Sequence, residues 1–307
     1  MRRYTFYFLF ILLFSFTGCA TRFSVPAEPR PVPKCLFPSC IRLALVLGGG
    51  GARGMAHVGV LEEFEKAGIP IDVIVGCSAG SVVGALYADC PNAGTVKSLL
   101  NPLKKWDILD LDFSRCRYGL VQGRSFTRFL EKNLCAHSFE KLRIPLCIAA
   151  TDLLEGKMVC LNSGPLIPAV HASSAVPFVF APVQLHDRLL VDGGVTDPVP
   201  VCIAKKLHAE IIVAVDLSEL LPKTCPSNLF GVAKRSAEIK FLLQSESCVD
   251  GADVVIRPEL GGVGLFDDRN NEHVYEAGRK AAREAIPKII DLLEQKGFWY
   301  TTCFANE

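Results

Sequence analysis

The stretch from Arg42 to Gly80, RLALVLGGGGARGMAHVGVLEEFEKAGIPIDVIVGCSAG, decides the fold. It opens with a short apolar strand over Arg42 to Leu47. Glycines follow, and then Gly54 to Ala67 carries Met55, Val58, Leu61 and Phe64 at helical spacing, closed by Gly68. Ile71 to Val75 is a second apolar run of strand length, and Gly80 to Ala88 a second helix. Strand, glycine turn, helix, strand, tight turn, helix is the alternation that builds a parallel sheet.

Outward from this stretch the alternation continues. Strands are expected at Leu146 to Ala150, Leu189 to Val191, Ile211 to Val215 and Val254 to Arg257. Helices are expected at Phe126 to Asn133, Leu166 to Ser173, Val201 to Leu207, Asn228 to Gln244, and Glu272 to Gln295 with a break near Pro287. The fold class is α/β, three layers, with a mostly parallel central sheet covered on both faces. No repeat or linker divides the chain, so one domain spans 41–307. Half of the 307 residues are hydrophobic and 21% are charged, enough apolar content for a sizeable core. Lys plus Arg is 33 and Asp plus Glu is 32, so the net charge of +1 argues against a nucleic-acid partner.

The N-terminus has its own pattern. Arg2 and Arg3 precede an apolar run from Phe6 to Phe16, too short to span a bilayer comfortably. The run ends in Phe16-Thr17-Gly18-Cys19, which is similar to a bacterial lipobox with Phe in place of the usual aliphatic residue. Residues 1–18 are therefore expected to be a signal peptide and Cys19 to be acylated. A plain cleaved signal and an uncleaved anchor are the alternatives. Cleavage would leave a net charge of −1, so lipid and not a basic patch would hold the protein to the membrane of a bacterial cell envelope, on the periplasmic or outer-membrane side. Residues 19–40 continue as a tether with Pro26, Pro29, Pro31, Pro33 and Pro38. In polyproline II geometry such a segment reaches roughly 60 Å; a tail with no reach function is the competing reading. None of the thirteen cysteines forms a Cys-x-x-Cys pair. Cys77, Cys147, Cys160 and Cys202 are expected as small core residues, and Cys35 with Cys40 as the local disulfide candidate.

Three motifs carry chemistry. Gly76-Cys77-Ser78-Ala79-Gly80 sits between a strand and a helix, the setting of a nucleophile elbow. Its glycines allow a sharp turn, and the helix start favours developing negative charge. The competing reading is an ordinary turn with Ser78 as N-cap. Gly48 to Gly54 contains Gly49-x-Gly51-x-x-Gly54, the form of a dinucleotide fingerprint. Asp72, at the spacing a ribose ligand needs, stands at the start of its strand and thus at the wrong end of the sheet, so no nucleotide cofactor is expected. The loop suits an oxyanion hole instead, with free backbone N–H groups and the charge of Arg53 nearby. Asp192-Gly193-Gly194 follows an apolar strand; alone it is a common turn.

In combination, and with Ala172-Ser173-Ser174-Ala175-Val176-Pro177-Phe178, these motifs resemble the patatin-like phospholipase family. Gly119-Leu120 with Gly123 and Phe126, Thr151-Asp152, and Tyr275 to Ala281 fit more loosely. The resemblance is firm from Arg42 to Asp216 and weak to about Ala282. Cys77 stands where the family often has Thr. The resemblance implies a Ser-Asp dyad on a three-layer fold, with Ser78 as nucleophile and Asp192 as base. Gly49, Gly50 and Gly51 would supply oxyanion N–H groups, with Arg53 and Gly54 beside them, and Gly76, Gly80, Gly193 and Gly194 complete the motifs. The implied substrate is a membrane lipid or other fatty acyl ester, with no metal or cofactor. Two alternatives stay open: a Ser-His-Asp esterase for soluble esters, drawing on His208 or His273, and a catalytically silent lipid-binding protein. Leu99 to Leu120 and Leu221 to Leu243, with Trp106, Phe113, Leu229, Phe230 and Phe241, suit either a lipid-facing rim or plain packing helices.

Overall fold

The computed structural model describes residues 23–26, 37, 38, 40–111, 118–221, 225–265 and 267–298. Among them eight strands occur: β1 (Leu43–Leu47), β2 (Val73–Cys77), β3 (Leu146–Asp152), β4 (Lys157–Leu161), β5 (Val183–Leu185), β6 (Arg188–Asp192), β7 (Ile211–Val215) and β8 (Val254–Ile256). The helices are α1 (Met55–Ala67), α2 (Ala79–Asp89), α3 (Ala93–Leu100), α4 (Lys105–Ile108), α5 (Arg124–Asn133), α6 (Leu166–Ser173), α7 (Val201–Lys206), α8 (Leu229–Cys248) and α9 (Asn271–Gln295). None is long and apolar enough to cross a membrane among these residues.

One sheet runs in the order β5-β6-β3-β2-β1-β7-β8, with β4 on the other edge of β3. Strands β3, β2, β1, β7 and β8 are mutually parallel, while β4, β5 and β6 are antiparallel additions. Side chains alternate between two cores. Leu43, Leu45, Leu47, Ile74 and Ile148 face a thick layer that includes α1, α2, α5, α6 and α9. Ala44, Val46, Val75, Cys147 and Ala149 face a thin one formed by Val199, α7 and Val249. The small side chains on that second face let the six-residue α7 settle close to the sheet. This is the expected α/β/α fold, with unequal outer layers. Cys77 and Cys147 are buried in it, Cys160 and Cys202 half-buried.

Strand order reverses around β1, whose crossover helix lies on the thick face. The crevice beyond its carboxyl end is where such sheets bind ligands. Gly68 ends α1 at φ 67°, a conformation glycine adopts freely. Helices α1 and α9 then cross at van der Waals range. A Cβ at Gly59 would overlap the Tyr275 carbonyl oxygen, and one at Gly278 the Ala56 carbonyl oxygen.

Several expectations need correcting. β2 starts two residues later than expected and ends at Cys77, because Asp72 precedes the ladder and binds Arg42 through two side-chain hydrogen bonds. β4 and β5 were not expected; β4 carries the apolar run Met158 to Leu161, which was not read as a strand, and β5 is three residues long with none of them buried. α9 runs unbroken through Pro287, since Ala282, Ile289 and Leu293 keep one buried stripe on both sides of it. Phe23 packs on Tyr118 with ring centroids 4.8 Å apart, and Gln184 donates to the Ser24 carbonyl at 2.7 Å. Cys19, Cys35 and Phe113 lie outside the described residues.

The α1–α9 crossing has no spare volume. Gly278→Ala is expected to destabilise the protein by about 1–3 kcal/mol, the range for overpacking, read as a lower urea midpoint with unchanged slope.

Candidate active site

The register of β3 creates the site. Cys77, the last residue of β2, pairs with Ala149, and Asp192, the last residue of β6, pairs with Ala150. β4 occupies the opposite edge over Ile148 to Asp152, so β2 and β6 meet head to head on one edge. Ser78 and Asp192, 114 residues apart in sequence, are thereby brought together. Ser78 Oγ donates to Asp192 Oδ2 at 2.6 Å, and both residues are buried.

Ser78 turns the corner from β2 into α2 at φ 51° and ψ −119°, outside the regions a serine ordinarily occupies. Such backbone costs about 1–3 kcal/mol and persists only where its surroundings enforce it. Ser173 Oγ accepts from Ser78 N at 2.9 Å and donates to the Ala149 carbonyl at 2.6 Å. Ser81 Oγ donates to the Ser78 carbonyl at 2.7 Å. The motif glycines are steric necessities: a Cβ at Gly76 would lie 2.7 Å from the Gly80 carbonyl oxygen, and one at Gly80 would overlap that of Leu47.

Asp192 has no cationic partner among the described residues. Its Oδ1 accepts from Gly194 N at 2.7 Å, and its Oδ2 takes the serine proton. Burial pushes its pKa up to about 6, against the pull of the Ser78 hydroxyl and the Gly194 N–H. A Cβ at Gly193 would overlap the Ala149 carbonyl oxygen, so only glycine lets the carboxylate come this close to the β2 end.

The glycine loop narrows the expected donor set. Gly49 N donates to the Pro198 carbonyl at 2.8 Å, so its N–H is engaged in the fold and is not an oxyanion donor. The N–H groups of Gly50 and Gly51 have no protein acceptor among the described residues. Gly51 has φ 57°, and a Cβ there would overlap the Leu265 carbonyl oxygen. Arg53 is also corrected. It donates to the carbonyls of Val263 at 2.7 Å and Leu217 at 3.1 Å and lies 3.6 Å from Glu219, so it ties two loops to the glycine turn. Gly54 admits the start of α1 beside α2, where its Cβ would stand 3.2 Å from that of Ala79.

His57 was not singled out by sequence reasoning. It is fully buried on α1, and its Nε2 lies 2.8 Å from the Gly48 carbonyl. Its Nδ1 has no partner among the described residues. Burial pushes its pKa down to about 4, so the ring is a neutral donor that pins the base of the loop. The available signal was a polar residue at an inward position of α1 directly after the loop. His171 is likewise pushed down to about 4 by burial, packed edge-on against Phe126 and Phe180. No histidine hydrogen-bonds Ser78 or Asp192 among the described residues. His208 precedes β7 at the far end of the sheet, and His273 lies in the first turn of α9.

Ser78 forms part of the wall of a pocket of about 210 Å³, lined mainly by apolar groups such as Met55, Val83, Leu100, Phe126, Phe129 and Phe180. Burying methylenes there is favourable by about 0.8 kcal/mol each. Asp72 lies at the amino end of β2, bound to Arg42 and away from the glycine loop. No cluster of three or more His, Cys, Asp or Glu suited to a metal occurs among the described residues.

Comparison with known proteins gives a consistent result. The family model described as patatin-like phospholipase matches residues 45–205. An NTE family protein of Mycobacterium tuberculosis is 38% identical over 181 residues, which is 58% of this chain and 49% of that protein. Lysophospholipase NTE1 of Coccidioides immitis is 29% identical over 277 residues, 80% of this chain and 18% of the fungal protein. The chain thus spans about half the length of its mycobacterial relative and less of the fungal one. The crystal structure of VipD from Legionella pneumophila shares the fold, with a TM-score of 0.57 at 13% identity, covering 82% of this chain and 67% of that one.

The buried histidines set a pH dependence. Their folded pKa of about 4 lies below the ordinary 6.5, so the unfolded chain takes up protons first as pH falls. Their contribution to stability is complete above about pH 6.5 and shrinks down to about pH 4. Asp192, raised from 3.8 to about 6, acts oppositely: it favours the fold below about 3.8 and loses that contribution as pH rises through 6. NMR should show the His57 and His171 rings neutral until pH nears about 4. In the Asp192→Asn variant, the drop in unfolding free energy between pH 6.5 and 4 should be steeper than in the parent.

Proposed function

Since the chain belongs to the patatin-like phospholipase family, we propose that it hydrolyses fatty acyl esters of lipids with Ser78 as nucleophile and Asp192 as proton acceptor. The 2.6 Å bond from Ser78 Oγ to a buried Asp192, at a strained corner that opens on an apolar pocket, carries this reading. The acyl chain lies in the pocket and the ester carbonyl over Ser78. Asp192 Oδ2 takes the hydroxyl proton as Ser78 Oγ attacks the carbonyl carbon. The oxyanion that forms is met by the N–H groups of Gly50 and Gly51, with the amino end of α2 beneath it. Collapse breaks the ester bond, and Asp192 returns the proton to the departing alcohol. Water then attacks the acyl-serine, gives its proton to Asp192 and releases the fatty acid, and the proton passes back to Ser78.

A carboxylate at its ordinary pKa is a weak base toward serine. Burial that lifts Asp192 to about 6 strengthens it, and it stays ionised at neutral pH. Membership of the lipid-hydrolase family and the relative named lysophospholipase support a lipid ester as substrate. The lipobox-like Cys19 supports attachment to a bacterial envelope membrane through acyl chains; two or more such chains anchor stably where one is marginal.

Ser78→Ala and Asp192→Asn should each lower turnover of a chromogenic acyl ester by at least about 10³-fold, with little further loss in the double variant, because the two act as a unit. His208→Ala and His273→Ala should stay within about twofold of the parent. A histidine variant that folds yet is as inactive as Ser78→Ala would replace the dyad with a triad. Absence of turnover in the parent on every acyl ester would leave a lipid-binding protein.

A second expectation concerns pH. The acid limb of kcat/KM should have its midpoint near 6, the pKa of Asp192 in the free enzyme.

A further inference from the structure

Helix α8 turns apolar residues outward. Leu229, Val232, Ile239 and Leu243 fall on one stripe, with Ser236 between them. They are 80%, 52%, 42% and 61% exposed. The inward side carries the Arg235–Glu238 ion pair and the buried Ser245 together with Phe241, Leu242 and Cys248, so the outer stripe is apolar surface beyond what docking the helix uses. A helix docked on a soluble protein normally buries its apolar stripe. Here Phe241 lies over Gly49 and Gly194, 3.4 Å from the Cβ position of each, so α8 spans the approach to Ser78 and Asp192 with its apolar side facing out. Lys234 and Lys240 are exposed along it.

A second patch stands on the lip of the pocket. Phe178 is 91% exposed and holds φ 69°, a conformation that bulky residues rarely adopt. None of the described residues repays that strain by covering the ring. Its neighbours Val176 and Phe180 line the pocket. Exposed Leu111, Tyr118 and Leu120 adjoin it through the bridges Leu111↔Val121 and Val121↔Phe180. The same lip holds Phe23 and Ser24, against Tyr118 and Gln184. The chain therefore leaves for residues 1–22, with the apolar run Phe6 to Phe16 and Cys19, from this rim. Four residues from Phe23 to Cys19 span at most about 14 Å.

We propose that the outward stripe of α8 and the Phe178 lip together dock on a phospholipid bilayer, with the pocket mouth facing the acyl chains. The exit of the chain selects this occupant: an anchor at Cys19 leaves the rim, and no other face, within reach of the membrane. Interfacial helices of this kind pair an apolar side with flanking lysines. The proposal rests on the lipid-ester reading of the Ser78 site, since it names the surface from which that site draws substrate.

The test uses the full chain in equimolar phosphatidylcholine and phosphatidylglycerol vesicles carrying brominated acyl chains. Phe178→Trp and Leu243→Trp should each add blue-shifted emission, relative to the parent, that the brominated lipid quenches. Lys206→Trp, at the far end of α7, should add emission that is not quenched. Equal quenching at all three positions, or none, overturns the proposal. A blue shift at position 243 that grows with protein concentration without vesicles overturns it in favour of a second copy of the chain. Phe178→Ser combined with Leu243→Ser should lower turnover of vesicle lipid by about tenfold and leave a soluble short-chain ester within about twofold. Equal losses on both substrates count against docking. Failure of the catalytic reading is distinguishable, because it abolishes turnover in the parent while the quenching pattern stays.

Discussion

The hydrogen-bond ladder along one edge of β3 is the constraint on which the rest depends. Up to Ala149 that edge is taken by β2, and from Ala150 onward by β6 running the opposite way. Two strands that end face to face leave their terminal residues nowhere else to go, so the Ser78–Asp192 bond follows from backbone register. The glycines are then requirements of the junction. Gly76, Gly80 and Gly193 lie where a Cβ would meet a neighbouring carbonyl oxygen. Slipping β6 by one residue would point the Asp192 side chain to the other face of the sheet.

The electrostatics of the site come from what is withheld. Asp72 and Asp152 are held below the usual carboxylate range by Arg42 and Arg188 together with backbone N–H groups, although burial opposes this in both. Asp192 is buried with no cation beside it among the described residues, and burial wins. The same sheet thus carries structural carboxylates paired with arginine and one carboxylate kept basic. His57 and His171 show the complementary effect, as rings kept neutral by the core. The hydroxyl of Ser78 is consequently the one side-chain donor to Asp192 among the described residues.

Much of this was legible in the sequence, for reasons specific to each element. Buried parallel strands such as Ile211–Val215 are unbroken apolar runs, and Ser78 stands between glycines at a strand-to-helix boundary. What was not legible depends on partners far along the chain. That Gly49 donates to Pro198, that Arg53 turns to Val263 and Leu217, and that His57 holds Gly48 are long-range or inward facts with no local pattern. β5 has three residues and none is buried, so neither period nor composition marks it, whereas β4 holds the apolar run Met158 to Leu161 and was legible but passed over. Pro287 signals a break by local rules, yet the buried stripe of α9 overrides it.

The separation of Ser78 from Asp192 by 114 residues also has a temporal meaning. Ribosomes deliver the chain from its amino end, and domains fold as their segments emerge. The glycine loop, β1, α1, β2 and the serine corner all appear long before Asp192, the acceptor of the Ser78 hydroxyl. Until β6 has been made and has paired with β3, the nascent polypeptide holds Ser78 without Asp192 beside it. The closing of the sheet is thus the step that completes the site.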